Sequence, residues 1–444
     1  MENKKQIGIV ICTALVVGNM IGSGIFLLPA SLAVYGGISI AGWIFTSLGA
    51  IFLALVFGTL AEISPKSGGP FIYAQDGLGR FAGFLVAWGH WIGVWTGNAA
   101  IAVAFTSYLS VFWPALSASN VLSAAVTLGL IWTLTLVNIM GIRTAGIVQV
   151  VTTILKVIPI IGLATIGLFF VDWDHFTPLN RSEESNISAI TACAALTLWA
   201  YLGLESATVP AGDVKDPKTT IPRATVVGTI LTAAIYILST VAVLGIVNPE
   251  ALSTSVAPFA DAGKVIGGDW VFYLVGAGAV ISCLGALNGW MILQAQVPMA
   301  AAENNYFPSI FARKNKSGTP VAGILVSSVL ISILIMTNFT RGLVELFTFI
   351  ILLATLTTLI PYIFSAMSQM MILMRYRKVF SRKRLIKDLL FASLAFIYSL
   401  WAIGGSGQEV VYWGLIALLG GVPIYVIIQW RRGLAPNGDD ETRL

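Results

Sequence analysis

The stretch "VVGNMIGSGIFLLP", residues 16 to 29, is apolar enough to cross a membrane, yet Gly22, Ser23 and Gly24 interrupt it near its middle. Backbone N–H and C=O groups left unpaired in hydrocarbon are costly, so an interrupted helix persists in a membrane only where it lines a cavity or faces protein. The half-helix that ends near Gly18 to Met20 should expose carbonyls, and the half that starts near Ser23 should expose N–H donors. Two such ends suit a small zwitterion, with its carboxylate on the N–H groups and its ammonium on the carbonyls.

The composition of the chain excludes an ordinary soluble domain. Hydrophobic residues make up 57% and charged residues 10% of the 444 residues, whereas about a quarter of a soluble domain is charged. Apolar stretches of roughly 20 residues, the length that spans a bilayer, recur along the whole sequence. We count twelve, at 8–33, 39–61, 82–112, 121–140, 146–170, 188–211, 224–247, 270–300, 320–337, 343–373, 389–404 and 410–430. The sequence therefore predicts an all-α membrane protein with twelve transmembrane helices in a single domain, residues 1–444.

The distribution of Lys and Arg predicts the orientation of these helices, because basic residues are retained in the cytoplasm. With the N-terminus inside, 21 of the 25 Lys and Arg residues fall on the cytoplasmic side, three fall on the other side, and Lys156 lies within the fifth span. We therefore expect a multi-pass protein with both termini in the cytoplasm. The net charge of +5 then reflects topology, and no nucleic-acid partner is expected.

Motifs for enzymatic chemistry are absent from the sequence. It has no Gly-rich phosphate loop, no HExxH motif and no convincing nucleophile triad. The three cysteines lie in apolar spans without metal-ligand spacing, and two histidines, His90 and His175, are too few for a histidine-built metal site. We expect no enzyme activity, no cofactor and no metal. A channel is also disfavoured, because it would not need helix ends suited to a zwitterion.

A second apolar span is interrupted in the same way. The sixth stretch contains "ALTLWAYLGLESATVPAG", residues 195–212, in which Gly203, Glu205 and Pro210 disrupt a helical pattern about 180 residues after the first interruption. Secondary transporters often consist of two inverted repeats, each with one discontinuous helix, and hold substrate between them at mid-membrane. The spacing predicts one repeat at about 8–170 and another at about 188–373, followed by two helices at about 389–430.

Five motifs resemble those of the amino acid/polyamine/organocation (APC) transporter superfamily. They are "GNMIGSGIFLLPASLA", "SPKSGGPFIYA", "TLWAYLGLESATVPAGDVKDPKTTIPRA", "CLGALNGW" and "KSGTPVAG". The resemblance covers about residues 7 to 430 and is strongest to the bacterial arginine/agmatine and putrescine/ornithine antiporters. It implies a LeuT-type fold of five plus five helices in which helices 1 and 6 are broken. It also implies a homodimer in the inner membrane that exchanges an amino acid for an amine by alternating access and can serve acid resistance.

The same resemblance assigns the substrate site. It places the substrate carboxylate on Ser23 and Gly24 and the substrate ammonium on the backbone carbonyls of Met20, Trp199 and Leu202. These contacts come from the backbone, so they depend on the helix breaks more than on residue identity.

Three side chains complete the substrate site that the resemblance implies. Trp199 and Trp290 match aromatics that close over the substrate, and a desolvated cation gains roughly 1 to 2 kcal/mol on an indole face. Their alternative role is that of interfacial tryptophans. Asn98 matches an asparagine that bonds the distal end of a substrate, and its alternative role is to join neighbouring helices.

Two ionisable residues inside the spans are candidates for coupling. Glu205 is the only acid well inside a span, and its counterpart in the resembled antiporters responds to pH; a structural hydrogen bond is the alternative. Lys156 departs from these antiporters, which carry a small residue there. Other superfamily members have a lysine at this place whose amine replaces a sodium ion. Lys156 therefore argues against sodium coupling and offers a second protonation site.

The tenth span departs from the arginine/agmatine antiporter as well. Ile351 and Leu352 precede Pro361 where that antiporter has two serines, which removes polar groups from the distal pocket. Our leading expectation is an arginine/agmatine-type antiporter. The alternative, favoured by Lys156, Ile351 and Leu352, is a proton-coupled or exchange-type permease for neutral amino acids.

Overall fold

The computed structural model describes residues 8–22, 24–64, 69–140, 159–208 and 214–431. Helices of the first half are α1 (Ile9–Met20), α2 (Gly24–Ala33), α3 (Ile38–Ile63), α4 (Pro70–Leu78), α5 (Arg80–Leu109) and α6 (Asn120–Ile139). The second half contains α7 (Asn186–Leu198), α8 (Pro217–Ile246), α9 (Pro258–Gly267), α10 (Asp269–Glu303), α11 (Val321–Asn338), α12 (Leu343–Arg375), α13 (Arg382–Gly404), α14 (Gln408–Leu419) and α15 (Gly421–Arg431). Short helices at Ala115–Ala118 and Pro249–Ser253 lie in the connections.

The described helices follow the predicted spans closely. Ten spans are long and apolar enough to cross a membrane, counting α14 with α15 as one and extending α7 to Ser206, and α1 with α2 forms an eleventh span bent by 43°. The predicted span at 146–170 falls largely on residues 141–158, outside the described part of the chain. The all-helical membrane fold is confirmed, while the number twelve stays a prediction.

The most buried helices surround the two predicted breaks. Helix α5 packs against α10 and α12, and α3 packs against α7 and α8. Tight contacts rely on small residues, as is usual between membrane helices; a side chain at Gly42 of α3 would collide with Cys193 of α7. Large apolar side chains such as Leu48, Ile333 and Leu400 instead remain exposed on outer faces, where lipid would cover them.

Candidate functional site

The first helix is broken where the sequence predicts. Helix α1 ends at Met20 and Ile21 is extended, with φ −71° and ψ 91°. Helix α2 then begins at Gly24. The carbonyl of Met20 accepts a hydrogen bond from the Tyr236 hydroxyl at 2.6 Å, and its second lone pair stays available. Ser23, predicted to bind the carboxylate, lies outside the described residues.

The second break is built from two short 3₁₀ turns around a glycine. Helix α7 ends at Leu198, the first turn covers Trp199–Tyr201, and the second covers Leu204–Thr208. Between them Gly203 has φ +99°, a backbone conformation that is energetically unfavourable for any residue with a side chain. A Cβ at Gly203 would lie 3.4 Å from backbone atoms of Asn19. The two breaks therefore pack directly on each other.

Five predicted substrate residues line one small cavity at the first break. Its volume is about 20 Å³, enough for a single water, and its lining is Asn19, Met20, Gly22, Gly24, Ile101, Trp199, Ala200, Leu202 and Trp290. The structure thus brings Met20, Gly24, Trp199, Leu202 and Trp290 together, which the sequence could suggest only through the resemblance.

A second cavity contains the predicted coupling carboxylate. It measures about 10 Å³ and is lined by His90, Gly93, Val94, Gly97, Trp199, Leu202, Glu205, Trp290 and Thr358. Glu205 is only 4% exposed, and its Oε2 accepts a hydrogen bond from the Tyr362 hydroxyl at 2.8 Å. From the sequence alone, His90 was a candidate only for a metal site, for which two histidines are too few. Its spacing from Val94 and Gly97, four and seven residues along one helix face, could have indicated a place at the site.

Trp199 separates the two cavities and nearly fills the space between the broken helix and α5. A Cβ at Gly24 would lie 2.5 Å from Nε1 of Trp199, and a Cβ at Gly97 would lie 3.1 Å from its Cη2. A side chain at Gly24 would therefore collide with the indole, and one at Gly97 would require the indole to shift by a few tenths of an ångström. The central site is consequently closed around Trp199.

A much larger cavity lies at the end of the bundle that the charge pattern places outside. It has a volume of 510 Å³, and its lining includes Ser31 of α2 and Glu345, Thr348 and Leu352 of α12. The hydroxyls of Ser31 and Thr348 are 2.8 Å apart and join the two helices. Leu352 therefore faces this outer cavity, whereas Thr358 is the α12 residue that lines the Glu205 cavity. Ile351 is fully buried.

Asn98 lies beside the cavities and bonds a neighbouring helix. Its Nδ2 donates to Oε1 of Gln294 on α10 at 2.6 Å, and both side chains are fully buried. Lys156 falls outside the described residues, so its role stays a prediction.

The family model described as amino acid permease matches residues 7–428. The chain belongs to this family of membrane transporters. A cadaverine/lysine antiporter of Escherichia coli (strain K12) is 36% identical over 371 residues, covering 82% of this chain and 83% of that protein. The putrescine transporter PotE of the same strain is 34% identical over 432 residues, covering 96% and 97%.

Solved structures show the same fold in a distant protein. A mutant of the Eremococcus coleocola manganese transporter superimposes with a TM-score of 0.58 at 13% identity, covering 95% of this chain and 96% of that one. At this identity the likeness concerns the fold alone, and it agrees with the predicted LeuT-type architecture. The amino acid permease family and the antiporter and transporter relatives, rather than this fold likeness, show that the protein is a transporter and not an enzyme.

Proposed function

We propose that this transporter exchanges a cationic amino acid for the amine made by its decarboxylation. The observation that carries the proposal is the buried carboxylate of Glu205 in a cavity walled by Trp199 and Trp290. A carboxylate beside indole faces is a site for a cation. The relatives named for cadaverine, lysine and putrescine support the same class of substrate.

Each of the two cavities would recognise a different part of such a substrate. The helix ends at the first cavity suit the α-ammonium and the α-carboxylate of an amino acid, whereas the Glu205 cavity suits a distal ammonium or guanidinium. An amino acid and its decarboxylated amine share that distal cation, so both satisfy Glu205. A proton would compete for the same oxygen atoms, which provides a physical route to coupling.

Arginine and agmatine are the substrate pair that we propose first. A guanidinium forms paired hydrogen bonds with a carboxylate, and Thr358 adds a polar group to the Glu205 cavity. Import of the amino acid and export of the amine would remove one positive charge per cycle. Because decarboxylation consumes a proton inside the cell, such a cycle would serve acid resistance.

The experiment is an exchange assay with purified protein in liposomes. Liposomes are loaded with unlabelled arginine, lysine, ornithine or alanine and challenged with labelled agmatine, cadaverine or putrescine, with and without a pH gradient. We expect cationic amino acids to stimulate amine uptake several-fold over alanine, with agmatine and arginine as the fastest pair. Faster exchange of lysine with cadaverine would retain the proposed class of substrates, and the proposed pair would then be lysine and cadaverine.

A permease for neutral amino acids is the second candidate. Leu352 lines the 510 Å³ outer cavity, so the path inward is less polar than two serines would make it, and the sequence places Lys156 in the fifth span. Stimulation by alanine without any amine uptake would favour this candidate.

We also propose the topology and assembly that the charge pattern and the resemblance imply. The chain would form one domain, residues 1–444, with repeats at about 8–170 and 188–373. It would dimerise in the inner membrane with both termini in the cytoplasm. An impermeant thiol reagent should label Ser117→Cys in intact cells and Ser381→Cys only after permeabilisation, since Cys12, Cys193 and Cys283 are buried. The opposite labelling would reverse the topology.

A further inference from the structure

A buried chain of polar side chains runs from the site through three neighbouring helices. Asn98 of α5 donates from Nδ2 to Oε1 of Gln294 at 2.6 Å. Gln294 of α10 donates from Nε2 to Oγ of Ser328 at 3.4 Å. The hydroxyl of Ser328 on α11 lies 2.7 Å from that of Thr135 on α6. All four side chains are fully buried.

The far end of this chain fixes its direction. Thr135 donates its hydroxyl hydrogen to the backbone carbonyl of Ile131 at 2.7 Å, and a carbonyl can only accept. The Ser328 hydroxyl must therefore donate to Thr135, which leaves its lone pairs to accept from the amide nitrogen of Gln294. Gln294 then offers its oxygen to Asn98, so Asn98 has to donate its Nδ2.

The near end of the chain is a free acceptor at the level of the two cavities. Within the described part of the molecule, Oδ1 of Asn98 is buried and has no hydrogen-bond partner. Asn98 lies one helical turn from Ile101, which lines the first cavity, and from Val94, which lines the second. Gln294 lies one turn beyond Trp290, which lines both. A buried acceptor without a partner is costly, and a substrate N–H donor would satisfy it.

We propose that Gln294 is a positioning residue that sets substrate specificity. Gln294 accepts from Nδ2 of Asn98 and thereby fixes the orientation of the Asn98 amide. Oδ1 of Asn98 is then left to accept from an N–H group on the substrate. The site then favours a substrate with a distal donor, such as an ammonium or guanidinium, over one of the same length with an apolar tail. This inference rests on the proposed function, because it concerns the same substrate class.

The test compares binding of lysine with binding of norleucine, which has the same carbon chain without the distal ammonium. Each competes with labelled substrate for the purified full-length protein, and the ratio of the two affinities is the measured quantity. Gln294→Leu should lower the preference for lysine about tenfold, the usual scale for a hydrogen bond to a charged group. Norleucine affinity and the melting temperature should change little.

Thr135→Val tests the same chain at a distance. Thr135 is on α6 and lines neither cavity, so it can affect selectivity only through the chain; we expect a smaller loss of lysine preference in the same direction. Thr127→Val is its matched control, since Thr127 is a buried threonine of the same helix that bonds Thr106 instead. Gln369→Leu is the control for Gln294→Leu, because Gln369 is also buried but bonds the backbone of Asp388.

A double variant separates positioning from general packing. If Gln294 acts through Asn98, Gln294→Leu should add nothing to the loss caused by Asn98→Ala, since coupled residues are non-additive. Additive losses, or equal changes for lysine and norleucine, would overturn the inference. If the wild-type protein prefers lysine and every variant of the four hydrogen-bonded residues keeps that preference, this inference is refuted and the proposed function is not. Wild-type protein that prefers neither lysine nor arginine over norleucine would refute the proposed function as well.

Discussion

Gly24 and Trp199 share one small space at the centre of the molecule. Any side chain at Gly24 begins 2.5 Å from Nε1 of Trp199, which is too close for two non-bonded heavy atoms. The indole would have to leave its place between the broken helix and α5, and the new side chain would cover the N–H groups at the start of α2, which have no partner within the helix.

We therefore predict that Gly24→Val reduces transport at least tenfold while leaving expression and oligomeric state unchanged. The measurement is exchange in liposomes at equal protein density, with size-exclusion chromatography as the check on folding. Gly129→Val on α6 is the matched control, because Gly129 lines neither central cavity and a Cβ there would meet no atom within 4 Å. Normal transport by Gly24→Val would show that the broken helix does not bind substrate.

Glu205 and Lys156 are the two candidates that the sequence offers for a proton site coupled to transport. We favour Glu205, because it lines a cavity shared with Trp199 and Trp290 and bonds Tyr362. Glu205→Gln should flatten the pH dependence of exchange and weaken substrate binding without abolishing it. Glutamine keeps an acceptor for Tyr362 but cannot bind and release a proton. Initial exchange rates measured over a series of pH values are the measurement.

Lys156→Ala supplies the comparison for Glu205→Gln. If Glu205 is the coupling group, Lys156→Ala should mainly lower the melting temperature. The reverse pattern, with accumulation driven by a pH gradient lost in Lys156→Ala and kept in Glu205→Gln, would assign coupling to Lys156.

At the scale of helices, the breaks were predictable because glycine and proline mark them in otherwise apolar spans. The ends of α1 and α2 at Met20 and Gly24 are where the sequence predicts them. The last span, predicted at 410–430, is a single membrane-spanning segment at Gln408–Arg431, because Gly420 between α14 and α15 keeps a helical conformation.

The details of the site required the packing of several helices. No local pattern shows that Gly203 contacts Asn19, or that Gln294 joins Asn98 to Ser328, since each pair is far apart in sequence. His90 was not predicted for a related reason, because the role of a single histidine in an apolar span depends on which residues of other helices surround it. The family resemblance supplied the candidate substrate residues, but it could not indicate the role of residues in which this chain differs from the family.

Gly203 gives a prediction about how the second break is held. Alanine at φ +99° would cost roughly 1–3 kcal/mol in backbone strain, although its Cβ would be only in ordinary contact with Asn19 at 3.4 Å. We expect Gly203→Ala to lower the melting temperature by several degrees and to reduce transport more than any residue change outside the site. Gly129→Ala on α6, where a Cβ would meet no atom within 4 Å, should be neutral or stabilising.

These two glycine variants are compared by thermal unfolding in detergent and by exchange in liposomes. Equal melting temperatures for both would mean that the turn at Gly203 relaxes without cost and that the break is not held by its backbone conformation.

For the whole molecule, the cavity volumes describe one stage of a transport cycle. The outer cavity of 510 Å³ contrasts with central cavities of about 20 and 10 Å³. Since a cavity of about 10–15 Å³ holds a single water, no amino acid fits the centre unless Trp199, Trp290 or the broken helices move. Binding and movement are therefore linked, as alternating access requires.

The last prediction concerns the ion that drives this movement. We expect transport to be independent of sodium, because a lysine within the fifth span is suited to supply the positive charge that a bound sodium ion provides in more distant relatives. A fixed amine would stabilise the same helix arrangement without an ion gradient, leaving protons and exchanged substrate as the only cations that couple. Replacing sodium with choline at constant pH and membrane potential should leave initial exchange rates unchanged within error. A steep rise of the rate with sodium concentration would contradict this role of Lys156, and retention of that rise in Lys156→Ala would place the sodium site elsewhere in the molecule.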